Sequence, residues 1–191
     1  MVHGDQGRHI GFGSNLREGP IKCQSIVRPH VNIRELQSPE LPLLLGLYAH
    51  LHDHDDPPAS AAIAEAVWSE ALANPRIKYF GGFVSGALVS SCTLTVIPNL
   101  TRACRPFGVI ENVVTHAAHR GQGWGRAILA RALGYAWDQD CYKVMLLTGR
   151  KDEATLRFYE QAGFDRHDKQ AFVAKPGAVR PDTSPERKRD G

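Results

Sequence analysis

No stretch of this chain reaches the ~18 uninterrupted apolar residues that a membrane-spanning helix needs, so the sequence excludes a spanning segment. Cysteine is sparse. Cys23, Cys92, Cys104 and Cys141 lie far apart without a Cys-x-x-Cys pair, which reads as free thiols in a reducing compartment. Met1 to Gly7 lack the apolar core of a secretory signal, and the expectation is a soluble, cytoplasmic protein with no membrane partner. Neither sign of charge dominates, with 23 Lys and Arg against 20 Asp and Glu, a net +3. Internal repeats are absent as well. What is present is ordinary: 191 residues, 42% hydrophobic and 23% charged. Those values exclude a largely disordered or collagen-like chain and suit one domain with a sizeable core.

The sequence pI near 8.7 invites a nucleic-acid reading, which the distribution of charge weakens. Residues 1–30 carry 4 basic and 2 acidic groups, and residues 176–191 carry 4 and 3, so the excess sits at the ends. Within the body, residues 31–75 hold 1 basic against 7 acidic groups, and residues 76–175 hold 14 against 8. A neutral body with an acidic and a basic half suits two small ligands of opposite charge better than a phosphate backbone. Solvated surface charge is the plainer account of the same pattern.

The pattern along the chain predicts a flexible extension over 1–30, a mixed α/β domain over 31–175 and a disordered tail over 176–191. The tail holds Arg187-Lys188-Arg189. Val31 to Leu36 reads as a strand. Pro39 to His52 has helical spacing, His54 to Pro58 is a loop, and Ser60 to Leu72 is a second helix with Ser60 near its N-cap. Ile77 to Val84 and Ala87 to Ile97 form a hairpin about Ser85-Gly86. Phe107 to Thr115 is the next strand. A glycine-rich turn and a helix through Trp137 follow, then a strand over Lys143 to Thr148 and a helix from Glu153 to Ala162 closed by Gly163. Phe164 to Ala174 carries a final β signal.

The turn Arg120-Gly121-Gln122-Gly123-Trp124-Gly125, between a strand and a helix, is the strongest chemical signal. A helix N-terminus leaves backbone N–H groups unpaired and partially positive. Glycines let the chain wrap an anion closely. Arg120, Arg126 and His119 add charge, so the site suits a phosphate or pyrophosphate. Arg126-Ala127 follows Gly125, where a nucleotide-triphosphate loop needs Lys-Ser/Thr. The spacing G-x-G-x-G and its late position also miss the dinucleotide fingerprint. A tight turn without a ligand is the bland alternative.

This turn resembles the Arg/Gln-x-x-Gly-x-Gly/Ala signature of the GCN5-related N-acetyltransferases, over roughly Val31 to Lys175. The stretches Gly108 to Thr115, Cys141 to Leu146 and Phe158 to Phe164 fit the same family, and look most like its glucosamine-6-phosphate N-acetyltransferases. The resemblance implies a mixed α/β fold. Its sheet is central, twisted and mostly antiparallel, with a V-shaped splay between two parallel strands and about four flanking helices. It also implies acetyl-coenzyme A as co-substrate, a small-molecule amine as acceptor and the possibility of a homodimer, with no metal.

By that resemblance Val113, Val114 and Thr115 offer backbone groups to the pantetheine arm and thioester carbonyl, one N–H serving as oxyanion donor. Arg120, Gly121, Gln122, Gly123, Trp124 and Gly125 take the pyrophosphate. Arg126, Arg150 or Lys151 reach the outer phosphates or are plain surface charges. Direct transfer needs a neutral amine, whereas alkyl amines hold a proton until about pH 10. Glu111 is therefore the candidate general base, or an anchor that binds the ammonium without taking its proton. Tyr159 matches the tyrosine that protonates the leaving thiolate; its alternative is a core aromatic. Where many relatives carry Asn early in the last helix, this chain has Asp152 or Thr155 as the pantetheine contact. For an acceptor phosphate, the acidic half offers only Arg34.

The remaining cluster, His50-Leu51-His52-Asp53-His54-Asp55-Asp56, has ligand-like spacing but no second ligand group, and a solvated helix end explains it better than a metal. Its carboxylates could attract a cationic amine. Two readings compete with the enzyme: a coenzyme-binding sensor without chemistry, and a nucleic-acid module using the basic tail.

Overall fold

The computed structural model describes residues 32–51 and 60–176. A five-stranded sheet runs in the order β1-β2-β3-β4-β5. The strands are β1 (Asn32–Glu35), β2 (Ile77–Val84), β3 (Ala87–Ile97), β4 (Phe107–Thr115) and β5 (Val144–Leu146). The first four pair antiparallel, and β5 joins β4 in parallel. Ser85 and Gly86 turn β2 into β3 with φ of 50° and 84°, the positive pair that matches a tight turn to the twist of its strands.

Four α-helices accompany the sheet among the described residues: α1 (Leu41–Tyr48), α2 (Ala61–Ala73), α3 (Trp124–Asp138) and α4 (Glu153–Gln161). None is long and apolar enough to cross a membrane. Strand alternation sends Phe80, Cys92, Leu94 and Ile110 to one face, where Ile128, Leu129, Ala132 and Ala136 of α3 cover them. On the other face Leu36, Phe83, Leu88 and Val114 meet Leu44 and Leu47 of α1 and Trp68 of α2. The Trp68 indole N–H donates to the Ser38 carbonyl at 3.0 Å, tying α2 to the turn that opens α1.

Three sequence expectations change. The helix expected over Pro39 to His52 divides into a 3-10 turn (Ser38–Glu40) and α1. The strand expected over Lys143 to Thr148 shrinks to three residues, because β4 and β5 diverge after Ile110 and Leu146. The β signal over Phe164 to Ala174 forms no strand at all. Arg166 near its start is drawn to Glu160 at 2.6 Å and Glu153 at 2.9 Å on α4. Phe172 and Val173 stand 87% and 73% exposed, without the partner ladder that a strand requires. The expected extension over 1–30, the loop over 54–58 and the tail beyond Pro176 lie outside the described residues.

Burial sorts the described cysteines. Cys92 and Cys141 are enclosed, while Cys104 is exposed. Burial pushes the Cys92 thiol up to about 12 and raises that of Cys141. The thiolate is the reactive form, so a chromogenic disulfide reagent should label Cys104 in the native chain and spare Cys92 and Cys141 until unfolding. Comparing dye release with that from Cys104→Ser checks it, and native labelling of Cys92 would contradict the packing.

Candidate active site

The parallel ladder pairs Gly108 with Val144, Val109 with Met145 and Ile110 with Leu146, and then ends, although β4 continues to Thr115. A bulge accompanies the parting. Asn112 has φ 53°, and the β3–β4 register breaks opposite it, between Ser91 and Thr93. Asn tolerates the left-handed region better than most residues, and a bulge re-aims the strand beyond it. Before the bulge the Gly108 N–H donates toward β5, to Lys143 O at 2.9 Å; after it the His116 N–H donates toward β3, to Val89 O at 2.9 Å. Strand alternation from His116 therefore aims the N–H groups of Thr115 and Val113 into the gap and that of Val114 at β3. The Val114 carbonyl accordingly accepts from Ser90 Oγ at 2.9 Å.

The gap is a cavity of about 670 Å³ that runs from Glu111 and Tyr159 to the glycine turn. At the turn, Gly121 and Gly123 adopt φ of 74° and 91°. A Cβ built on either would meet nothing within 4 Å, so backbone conformation demands glycine and leaves open space above. Gly125 answers a different need. A Cβ there would lie 3.0 Å from Phe158 Cζ and 3.3 Å from Thr115 Oγ1, so glycine lets α3 seat against α4 and β4. No side chain caps α3 and no acid occupies its first turn, leaving its N–H donors free for an anion. Arg126 lines the same space. The cradle therefore fits the pyrophosphate of a coenzyme A thioester.

Arg120 does more than supply charge there. Its Nε donates to the Thr115 carbonyl at 3.1 Å and its Nη2 to the His50 carbonyl at 3.0 Å, strapping the end of β4 to the end of α1. Trp124 lines the cavity, whereas Gln122 and Lys151 are not among its lining residues. Gln122 accepts from Trp124 Nε1 at 3.2 Å and donates to Ala118 O at 3.2 Å, knotting the turn from outside. Thr155 lines the cavity but spends its hydroxyl and its N–H on Asp152, at 2.9 Å each, as the N-cap of α4.

Tyr159 sits on α4 between Phe158 and Phe164, with ring centroids 4.9 Å and 6.3 Å away. Burial raises its phenol pKa; Arg150 pulls it down and Glu111 pushes it further up. The phenol is thus protonated at neutral pH, and the charges of Glu111 and Arg150 both reach it. Arg34 is closed to a ligand by a bidentate pair with Glu40, at 2.8 Å and 2.6 Å, and by stacking 4.2 Å from the Phe83 ring centroid. His50, Leu51, Asn112, Leu147, Thr148 and Gln161 line the cavity without having been singled out by sequence as site residues. Among them His50 and Leu51 belong to the His/Asp cluster read as a solvated helix end, and Asn112 carries the signal of a residue type suited to a non-glycine bulge. Asp53, Asp55 and Asp56, expected near the acceptor, lie outside the described residues. Among the described residues no group of three or more His, Cys, Asp or Glu could hold a metal ion.

The profile of the Acetyltransferase (GNAT) family matches residues 32–164. A glucosamine 6-phosphate N-acetyltransferase of Trypanosoma brucei brucei is 33% identical over 141 residues, 73% of this chain and 92% of that protein. A solved structure from Agrobacterium tumefaciens str. C58 with a provisional acetyltransferase assignment is 42% identical and superposes with a TM-score of 0.71 over 75% of this chain and 99% of its own. A Trypanosoma brucei acetyltransferase structure is 30% identical, with a TM-score of 0.64 over 76% of this chain and all (100%) of its own.

Proposed function

Since the chain belongs to the Acetyltransferase (GNAT) family, whose members are acetyl-coenzyme A-dependent N-acetyltransferases, we propose that it acetylates the primary amine of a small molecule by direct attack within a ternary complex. The observation that carries this reading is the single cavity that joins an uncapped helix N-terminus to Glu111 and Tyr159 through the parted edges of β4 and β5. The bound co-substrate supplies the activated acetyl group.

The remaining tasks fall to this chain's own residues. The first turn of α3, entered through Gly121 and Gly123, holds the pyrophosphate, with Arg126 adding charge and Arg120 keeping the turn in place. The Val113 and Thr115 N–H groups hydrogen-bond the pantetheine arm, and the one nearest the thioester carbonyl stabilises the negative charge that grows there. Glu111 takes a proton from the ammonium, directly or through water, to free the attacking lone pair. Tyr159, protonated well beyond neutral pH, gives its proton to the departing sulfur. Tyr159→Phe should lower kcat by about 100-fold or more while leaving acetyl-coenzyme A affinity nearly unchanged. Steady-state rates beside equilibrium titration would test this, and an unchanged kcat would return Tyr159 to a packing role.

The test of the reaction is thiol release from acetyl-coenzyme A against amino sugars and their phosphates, polyamines, amino acids, aminoglycosides and a Lys peptide. Turnover confined to one class, with loss in Glu111→Gln, supports the proposal. Coenzyme binding without turnover on any amine supports a sensor instead. An amino-sugar phosphate is the favoured member of the panel, since the Trypanosoma brucei brucei relative is named for glucosamine 6-phosphate. With Arg34 committed to Glu40, recognition of such a phosphate falls to another cation, and Arg150 faces the chemical end of the cavity.

A further inference from the structure

Three imidazoles crowd the rim of the cavity where the glycine turn begins. The ring of His116 lies 4.2 Å from that of His50 and 5.6 Å from that of His119, centroid to centroid. His50 comes from the end of α1, His116 directly follows β4, and His119 closes the 3-10 turn Ala117–His119. His50 and His119 line the cavity beside Arg120, Gly121 and Gly123. His116 is the spacer between them. Its Nδ1 accepts the Ala118 N–H at 3.2 Å, an arrangement that only the neutral ring allows. Burial first, then the charges of His50, His119 and Arg120, lower its pKa. Every group bearing on it is thus a cation or a potential one. From β4 and the turn come Arg120 and His119, and from α1 comes His50, whose carbonyl also receives Arg120. The histidines and carboxylates of 52–56 lie outside the described residues.

His116 is therefore a poor place to add a proton, whereas an anion arriving at the rim favours the charged form of the imidazoles that line it. We propose that His50 and His119 belong to the pyrophosphate-binding rim and take up protons when the co-substrate binds, with the neutral His116 as the positioning residue that keeps them apart. This rests on the reading that the glycine turn holds the pyrophosphate. An imidazole titrates near neutrality, and a nearby phosphate favours its charged form. Affinity should therefore rise as pH falls from about 8 to about 6, the direction in which the imidazoles charge. Raising the combined imidazole pKa by one on binding corresponds to about tenfold in affinity. The effect reaches no further than the imidazoles' own titration, because an imidazole already charged in the free state gains nothing more.

The experiment is calorimetric titration of the full-length chain with acetyl-coenzyme A and with dephospho-coenzyme A, at about pH 6 and about pH 8 and in buffers of different ionisation heat. Dephospho-coenzyme A keeps the pyrophosphate and lacks the terminal phosphate monoester, whose own titration near pH 6 would otherwise enter the result. The expected outcome is proton uptake and about threefold to tenfold tighter binding at the lower pH with both ligands. Both effects should be largely lost in the His50→Gln, His119→Gln double variant. Imidazole NMR titrations of the unmodified chain should show the His50 and His119 resonances charging at higher pH when ligand is bound, a readout independent of any variant. Equal pH dependence in wild type and double variant, or imidazole titrations unmoved by ligand, would overturn the proposal. Linkage seen with acetyl-coenzyme A alone would overturn the pyrophosphate assignment. No binding of either ligand by the wild type would instead overturn the placement of the co-substrate itself.

Discussion

Replacing Glu111 with Gln should lower kcat for the amine by about 100-fold to 10,000-fold near neutral pH, the range over which a positioned acid or base acts. The deficit should shrink as pH rises toward ~10, where the amine sheds its proton unaided. Glutamine keeps the size and hydrogen-bonding capacity of the side chain but accepts no proton. Glu111 lies on β4 within the cavity, next to the bulge, and its charge reaches the Tyr159 phenol. In the proposed mechanism, proton removal and proton delivery then fall to side chains of β4 and α4 that line one gap. A pH profile of kcat and KM separates the two readings of this carboxylate. If Glu111 only attracts the ammonium, KM rises and kcat stays near the wild-type value across the profile.

Phe80→Ala should destabilise the fold by about 3–5 kcal/mol, a large fraction of the ~5–15 kcal/mol that a domain of this kind commands. Phe80 is fully enclosed, 0% exposed, at the middle of β2. Its ring meets the Tyr135 ring edge-on at 5.8 Å, and the Arg131 guanidinium lies 5.0 Å from its centroid. Both partners belong to α3, so the ring is a seat for the helix whose first turn forms the phosphate cradle. Truncation leaves a void that the surrounding sheet cannot close without moving α3. Urea unfolding should show the loss as a lower midpoint with an unchanged slope. A drop below about 1 kcal/mol would mean that α3 does not depend on this contact.

Much of the sheet was legible in the sequence because its signals are local. β2, β3 and β4 begin and end where alternation and the Ser85-Gly86 turn place their limits. The glycine turn was legible for the same reason, since φ values of 74° and 91° leave glycine little competition. What escaped depends on contacts distant in sequence. Arg120 was read as charge at the turn, and its second acceptor, the His50 carbonyl, lies 70 residues away. Arg34 looked like a free cation until Glu40 closed on it. The apolar residues near the C-terminal end of the described chain carried the pattern of a strand and lacked the neighbour that makes one. Periodicity reports what a segment can do, and pairing decides whether it does so.

The free edge of β4 also bears on how such a site changes over generations. A grip made by the N–H groups of Val113 and Thr115 is spoken by the main chain, which every residue but proline possesses. The side chains of Val113 and Thr115 can drift to suit their neighbours without altering what those N–H groups offer to a thioester. The roles proposed for Glu111 and Arg150 have no such insulation, because both would act through their side chains. Main-chain groups can therefore hold the donor constant while side chains are rewritten for a new amine.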